Sequence, residues 1–308
     1  MPWKKFGNIF SPENFPSIGL YSFAAVPFIG KIHNNLIDVF FTMRNAKNQS
    51  VLFKGVFDFD DNKKLVYLSP KPIIYPGVIG SFDEDGVMGC QFLSFLGNDY
   101  IYYQGWNISQ SVPFRNSIGV AKWNKESNSF EKMFNGPILD RSIYDPCFVA
   151  TPNVFKLKDN QFIMFYLSCD KWEKSKAGLK HWYNIKIAHS NDGIHWTRNG
   201  EVAIDYSNDF EYAISVPRVV YDNGIYKMWY SYRGGKSFEN YRIGYAESKN
   251  VIDWVRKDDE VGIQQSEEGW DSEMICYPCV FHFKGQMFML FNGNNYGKTG
   301  FGLAIWKN

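Results

Sequence analysis

The chain has 308 residues, 45% of them hydrophobic and 18% aromatic, with five cysteines and a formal net charge of +1. That composition can fill a large strand-rich core, and the balanced charge gives no whole-protein attraction to nucleic acid or an anionic membrane, so neither is expected as a partner. No apolar run approaches a membrane span, Met1-Pro2-Trp3-Lys4-Lys5 lacks the apolar core of a signal peptide, and an odd cysteine count suits a reducing compartment, which together predict a cytoplasmic chain.

Taken in chain order, the first element is a strand from Trp3-Lys4-Lys5 into Phe6-Gly7-Asn8-Ile9-Phe10, with no complete repeat around it. Aromatic strands then recur as Val39-Phe40-Phe41, Ile101-Tyr102-Tyr103, Met164-Phe165-Tyr166, Met228-Trp229-Tyr230 and Met289-Leu290-Phe291. Their last aromatics, at 41, 103, 166, 230 and 291, are separated by 62, 63, 64 and 61 residues. A second motif follows four of them: Ile118-Gly119-Val120-Ala121, Ile185-Lys186-Ile187-Ala188, Ile243-Gly244-Tyr245-Ala246 and Phe301-Gly302-Leu303-Ala304. Strand repeats of this length stack around an axis, so the spacing predicts an all-β, five-bladed propeller.

Complete repeats add an outer strand after the alanine motif, from Trp196-Thr197-Arg198 toward Ile204 and from Trp254-Val255-Arg256 toward Ile263. Only Ile305, Trp306, Lys307 and Asn308 follow Ala304, and the Trp-x-basic start at Trp3 supplies the missing strand. The N-terminal strand is therefore expected to complete the last blade and close the ring, which removes exposed sheet edges. The resulting reading is a single domain over 1–308, with blades at roughly 19–75, 82–139, 143–204, 210–263 and 270–308 plus 3–10.

No Gly-rich phosphate loop joins a strand to a helix, and no cofactor or metal is expected. Cys276-Tyr277-Pro278-Cys279 has CxxC spacing, but it stands alone ahead of a strand and reads as buried structural residues. The Asp192-Gly193 pair predicts a tight outer turn.

Ligands of a propeller collect at one mouth of the axial channel. The innermost strands align on a shared proline: Val26-Pro27-Phe28, Thr151-Pro152-Asn153, Val216-Pro217-Arg218 and Tyr277-Pro278-Cys279, with Gly89-Cys90-Gln91 in the second blade. Just upstream stand the acids Asp83 and Asp85, Asp145, Glu211, and Asp271 and Glu273, expected to point carboxylates toward one mouth. Arg44, Asn107, Arg233, Asn292 and Asn294 follow the aromatic strands, and Arg218 follows a proline. An insertion at 168–183 adds Trp172, His181 and Tyr183, and Tyr241 comes from the matching loop of the fourth blade. His181 is singled out because nothing in the repeat requires it for packing. Arginines, acids and aromatics together suit a sugar ring bearing an anionic group.

These residues resemble the five-bladed propeller superfamily that includes glycoside hydrolase families 32, 43, 62, 68 and 130, with the nearest likeness to uncharacterised bacterial members. The likeness spans the chain as a blade pattern and is strongest at 102–121, 136–145 and 269–304. The resemblance implies action on a glycosidic bond. The inverting members' base Asp, modulating Asp and acid Glu are missing, however: the first blade reads Phe23-Ala24-Ala25-Val26, and Thr151 and Ser215 stand at the other two positions. Catalysis would then fall to Asp85 or Asp145 as base and Glu211 or Glu273 as acid, with inverting hydrolysis needing carboxyls about 6.5–9.5 Å apart. Arg44, Asn107, Trp172, His181, Arg218, Arg233, Tyr241, Asn292 and Asn294 would bind the sugar, sugar phosphate or sugar nucleotide. The expectation is a carbohydrate-active enzyme of intracellular glycan or surface-polysaccharide metabolism. The alternative is a carbohydrate-binding propeller that has lost its catalytic acids. Oligomeric state is left open.

Overall fold

A computed structural model describes every residue except 1, 16–18, 20, 159, 176–177, 235–237 and 308. Strand β1 (Trp3–Phe10) comes first in the chain. Five four-stranded antiparallel units follow from the pairings. The first is β2 (Ser22–His33), β3 (Leu36–Arg44), β4 (Ser50–Asp58) and β5 (Lys64–Leu68). The second is β6 (Gly86–Phe95), β7 (Asn98–Ile108), β8 (Phe114–Asn124) and β9 (Ser129–Lys132). The third is β10 (Phe148–Lys156), β11 (Phe162–Ser175), β12 (Gly178–Ser190) and β13 (Val202–Ile204). The fourth is β14 (Ala213–Asp222), β15 (Ile225–Arg233), β16 (Arg242–Ser248) and β17 (Val255–Arg256). The fifth is β18 (Cys276–Phe283), β19 (Gln286–Asn292) and β20 (Phe301–Trp306), with β1 as its fourth strand.

The fold is an all-β propeller. Inner strands β2, β6, β10, β14 and β18 each contact the next, and β18 contacts β2, so the ring closes. The N-terminal strand pairs antiparallel with β20, from Trp3 opposite Trp306 to Phe10 opposite Phe301. Trp3 is buried and meets Trp229 at 5.9 Å and Trp306 at 5.0 Å, edge to face, which ties the fourth unit to the fifth. No helix among the described residues is long and apolar enough to cross a membrane.

The alanine motif has a steric cause. Gly119 lies opposite Tyr103 and Gly244 opposite Tyr230, and a Cβ on either glycine would come within 2.3 Å of the facing tyrosine ring. These glycines let the last aromatic of the preceding strand lie flat across its neighbour. The outer strands are shorter than expected. Thr197 makes one isolated bridge to His189 before the three residues of β13, and β17 has two residues. The expected insertion at 168–183 is instead a continuous hairpin of β11 and β12, paired from Cys169 opposite Tyr183 out to Ser175 opposite Gly178, with 176–177 outside the described residues.

Candidate functional site

The mouth of the channel is floored by a strained collar. Val26, Thr151, Val216 and Tyr277, each followed by proline, have φ of 51°, 43°, 49° and 55°. Bulky or β-branched residues avoid this left-handed region, and a following proline disfavours helical backbone further. Each sits at a β-bulge in its inner strand, at a cost of about 1–3 kcal/mol. Side chains of adjoining units hold the freed backbone. The Val26 N–H donates to Asn292 Oδ1 (2.8 Å), the Val216 N–H to Thr151 Oγ1 (3.2 Å) and the Tyr277 N–H to Ser231 Oγ (2.7 Å). In the second unit the bulge falls at Gly89–Gln91, and Gln91 Nε2 reaches the Val154 carbonyl (2.7 Å).

Above the collar lies a cavity of about 230 Å³. Val26, Met88, Thr151, Val216 and Tyr277, one residue from each unit, line it from below. Its walls carry Arg233, His181, Ser215, Gln104 and Asn116, with the rings of Phe114, Phe148, Tyr183, Tyr241 and Tyr296. No aspartate or glutamate is among these lining residues.

Arg233, the last residue of β15, donates from Nη1 to the Tyr296 hydroxyl (2.8 Å) and lies 4.7 Å from the Tyr241 ring and 5.3 Å from the Tyr212 ring. Its buried Nε has no hydrogen-bond partner, and no carboxylate pairs with it among the described residues. Ser215 Oγ and His181 Nδ1 are likewise buried without a partner. Tyr183 and Tyr241 join their hydroxyls in a buried hydrogen bond. Burial, and next the charge of Arg233, pushes the His181 imidazole down to about 4, so the ring is neutral near pH 7. His181 is also packed, which the sequence did not anticipate: its ring lies 4.6 Å from Trp172, 5.1 Å from Tyr183 and 5.7 Å from Phe114. Outside the cavity, Lys180 stands 3.8 Å from the Tyr212 ring.

The carboxylates expected to converge here do not. In four units the acid upstream of the inner strand turns toward a base on the outer edge of the same unit. Asp83 pairs with Lys132 (2.6 Å), Asp145 with Arg198 (3.1 Å) and Asp271 with Lys5 (2.5 Å), and Glu211 accepts from both terminal nitrogens of Arg256 (2.7 and 2.9 Å). The aromatic strands cover these clasps, with the Tyr103 hydroxyl donating to Asp83 (3.2 Å) and that of Tyr166 to Asp145 (3.1 Å). Asp145 is 0% and Glu211 1% exposed. Burial opposes the charge of Arg256, but its hydrogen bonds to Glu211 and the neighbouring Tyr230 and Asp258 outweigh that and raise its pKa. A buried carboxylate held by a lysine or arginine has no free edge for a sugar.

The other expected site residues also have local partners. Asp85 accepts the Ile108 N–H (2.7 Å). Glu273 is exposed, with its N–H on Asn294 Oδ1 (2.9 Å) and its carbonyl accepting from Arg242 (2.9 Å). Arg44 donates to the Asn48 carbonyl (2.9 Å) and lies over Phe23 and Trp106. Arg218 is 5% exposed and spans from the fourth unit to the Cys90 carbonyl of the second. Asn292 is wholly buried, donating to the Ala24 (2.7 Å) and Gly300 (2.8 Å) carbonyls while it accepts from Val26. Asn294 ties the segment 269–274 to the fifth unit. Trp172 backs the cavity wall through Phe114 (5.3 Å) and His181. Asn107 lines a neighbouring groove of about 350 Å³, which shares Asn116 with the cavity.

Of the expected binding residues, His181, Arg233 and Tyr241 meet in the cavity. Sequence reasoning missed Gln104, Asn116 and Tyr296. It met Thr151 and Ser215 only as gaps in a catalytic pattern, although both put hydroxyls at the cavity where carboxylates were sought.

No protein-family model matches the chain. It is 35% identical over all 308 residues, covering 100% of both chains, to the uncharacterized protein Rv1502 of Mycobacterium tuberculosis (strain ATCC 25618 / H37Rv). A shorter match, 35% identical over 110 residues, covers 35% of this chain and 37% of a 1,2-beta-oligomannan phosphorylase of Thermoanaerobacter sp. (strain X514). Among solved structures, a glycoside hydrolase superposes with a TM-score of 0.77 at 15% identity, covering 99% of this chain and 91% of that one. A thermostable family-43 glycoside hydrolase gives 0.66 at 15% identity, covering 94% and 89%. The chain therefore has the propeller fold of these glycoside hydrolases, and it belongs to the family of the mycobacterial protein Rv1502.

Proposed function

We propose that the chain is a carbohydrate-active propeller whose central cavity captures one sugar residue bearing an anionic group. One observation carries this reading: Arg233 enters an aromatic cavity with its Nε and the Ser215 hydroxyl unpartnered and no carboxylate on the walls. A half-buried guanidinium without a counter-charge favours an anion, and a carboxylate or phosphate can take its open side. Aromatic rings pack on the apolar faces of a sugar, and Gln104, Asn116, Thr151 and Ser215 offer hydrogen bonds to its hydroxyls. Because the clasped acids lie away from the cavity, the geometry favours binding over two-carboxylate hydrolysis.

Titration calorimetry with galacturonate and with galactose tests this. The acidic sugar should bind more tightly, and Arg233→Gln should cost it about 10- to 100-fold while sparing the neutral sugar. Equal binding of the two sugars, or an Arg233→Gln variant with unchanged affinity, defeats the reading.

The local likeness to an oligomannan phosphorylase supports a second reading, phosphorolysis. Phosphate would then be the nucleophile, so the protein would need to supply only a proton donor, with Arg233 beside the phosphate. Release of sugar 1-phosphate from manno-oligosaccharides and inorganic phosphate would establish it, and no product over a long incubation would remove it.

A further inference from the structure

Resting on that reading of the cavity, we propose that the groove beside it is a second binding position, so that the ligand is an acidic glycan of at least two residues. At about 230 Å³ the cavity is smaller than pockets that enclose drug-sized molecules, about 300–1,000 Å³, and a longer chain must leave it. The cavity shares a wall residue with one groove. Asn116 lines both the cavity and the groove of about 350 Å³ formed by the second unit and the segment that leads into the third.

The groove has its own recognition chemistry. Arg115 and Arg141 line it, both exposed, and neither pairs with a carboxylate among the described residues. Asn107 and Asn135 add amides. The loop carrying Arg141 is fixed rather than free: Asp140 Oδ1 accepts from Ser117 Oγ (2.9 Å) and from the Arg141 N–H (2.7 Å), and Ser117 follows Asn116. Asp140, an exposed carboxylate in the groove wall, thus orders the loop through Oδ1, and the two guanidinium groups outnumber it and remain for a ligand. Three arginines, Arg233 in the cavity and Arg115 and Arg141 beyond Asn116, suit acidic substituents on successive sugars, since a guanidinium grips a carboxylate with two parallel bonds.

Galacturonate and trigalacturonate, titrated against the full chain, test this. The trimer should bind at least about tenfold more tightly than the monomer. Arg115→Ala with Arg141→Ala should remove most of that gain and leave monomer affinity as it was, and a near-linear fall of log affinity with log salt should become shallower. Asn107→Ala, a milder change in the same groove, keeps the test open should the double variant fold poorly. Trimer and monomer binding equally would overturn the proposal. So would loss of the gain in Lys180→Ala with the arginine variants unaffected, because the chain would then leave past Tyr212. No binding of either probe would instead sink the cavity reading itself.

Discussion

Two regions of this propeller use the same residue types to opposite ends. Just ahead of four inner strands, Asp83, Asp145, Glu211 and Asp271 each meet a lysine or arginine on the outer edge of their own unit. Over the axis, Arg233 is half-buried, with tyrosines for neighbours and a buried, unpartnered Nε. The difference teaches that a buried charge marks a site only when its counter-charge is missing. Paired, it fixes the fold; unpaired, it leaves a vacancy that a ligand of opposite sign can fill.

The comparison breaks most visibly at Glu211. Glu211→Ala removes two charge-assisted hydrogen bonds from the half-buried Arg256 guanidinium, which keeps Asp258 as its partner, and should lower stability by about 2–3 kcal/mol in denaturant unfolding. Arg233→Gln should leave the unfolding midpoint almost in place and act on ligand affinity instead. If both variants lose stability alike, the two regions are not distinct.

An effect of similar size follows at the seam between them. Asn292→Ala frees the Val26 N–H and the Ala24 and Gly300 carbonyls in a wholly buried setting, which should cost about 2–3 kcal/mol by the same measurement. It should also weaken ligand binding, because the collar floors the cavity. Unchanged stability would mean that the bulge at Val26 does not depend on the fifth unit.

His181 separates the regions by pH. Its pKa falls from the ordinary 6.5 to about 4 on folding, so below pH 6.5 the unfolded chain takes up a proton that the folded chain refuses. Stability from this group is complete above pH 6.5 and is lost between pH 6.5 and 4, by about 1–2 kcal/mol after allowance for partial exposure. His181→Phe should flatten that part of the stability-against-pH curve. The smallest effect belongs to the rim, where Lys284 and Asp60 pair at 2.8 Å with both side chains more than half exposed. Asp60→Asn should change stability by less than about 0.5 kcal/mol.

The ring was legible because repetition is a sequence property. The spacing of Phe41, Tyr103, Tyr166, Tyr230 and Phe291 and the truncated end after Ala304 were enough to pair β1 with β20. The prolines likewise located the inner strands, though nothing in Val26-Pro27 or Thr151-Pro152 announced a left-handed residue before each proline. The clasps were half legible. A carboxylate upstream of four of the five inner strands could be counted, but its direction depends on a base 45 residues away for Glu211 and 266 away for Asp271. The cavity was hardest to see, since its polar groups are hydroxyls and amides with no motif of their own. Thr151 and Ser215 registered as missing acids when they were present donors. Asn116, which lines both the cavity and the groove, and Asp140 in the groove wall lay within stretches noted only for family likeness.

The most direct measurement is a crystal structure of the chain with trigalacturonate bound. A carboxylate seated on the Arg233 guanidinium, with its ring among Tyr241, Tyr296 and Phe148, is the predicted result. A sugar lodged instead between Asp85, Asp145, Glu211 and Glu273, or on the outer rim with the cavity empty, would contradict the assignment of the central cavity.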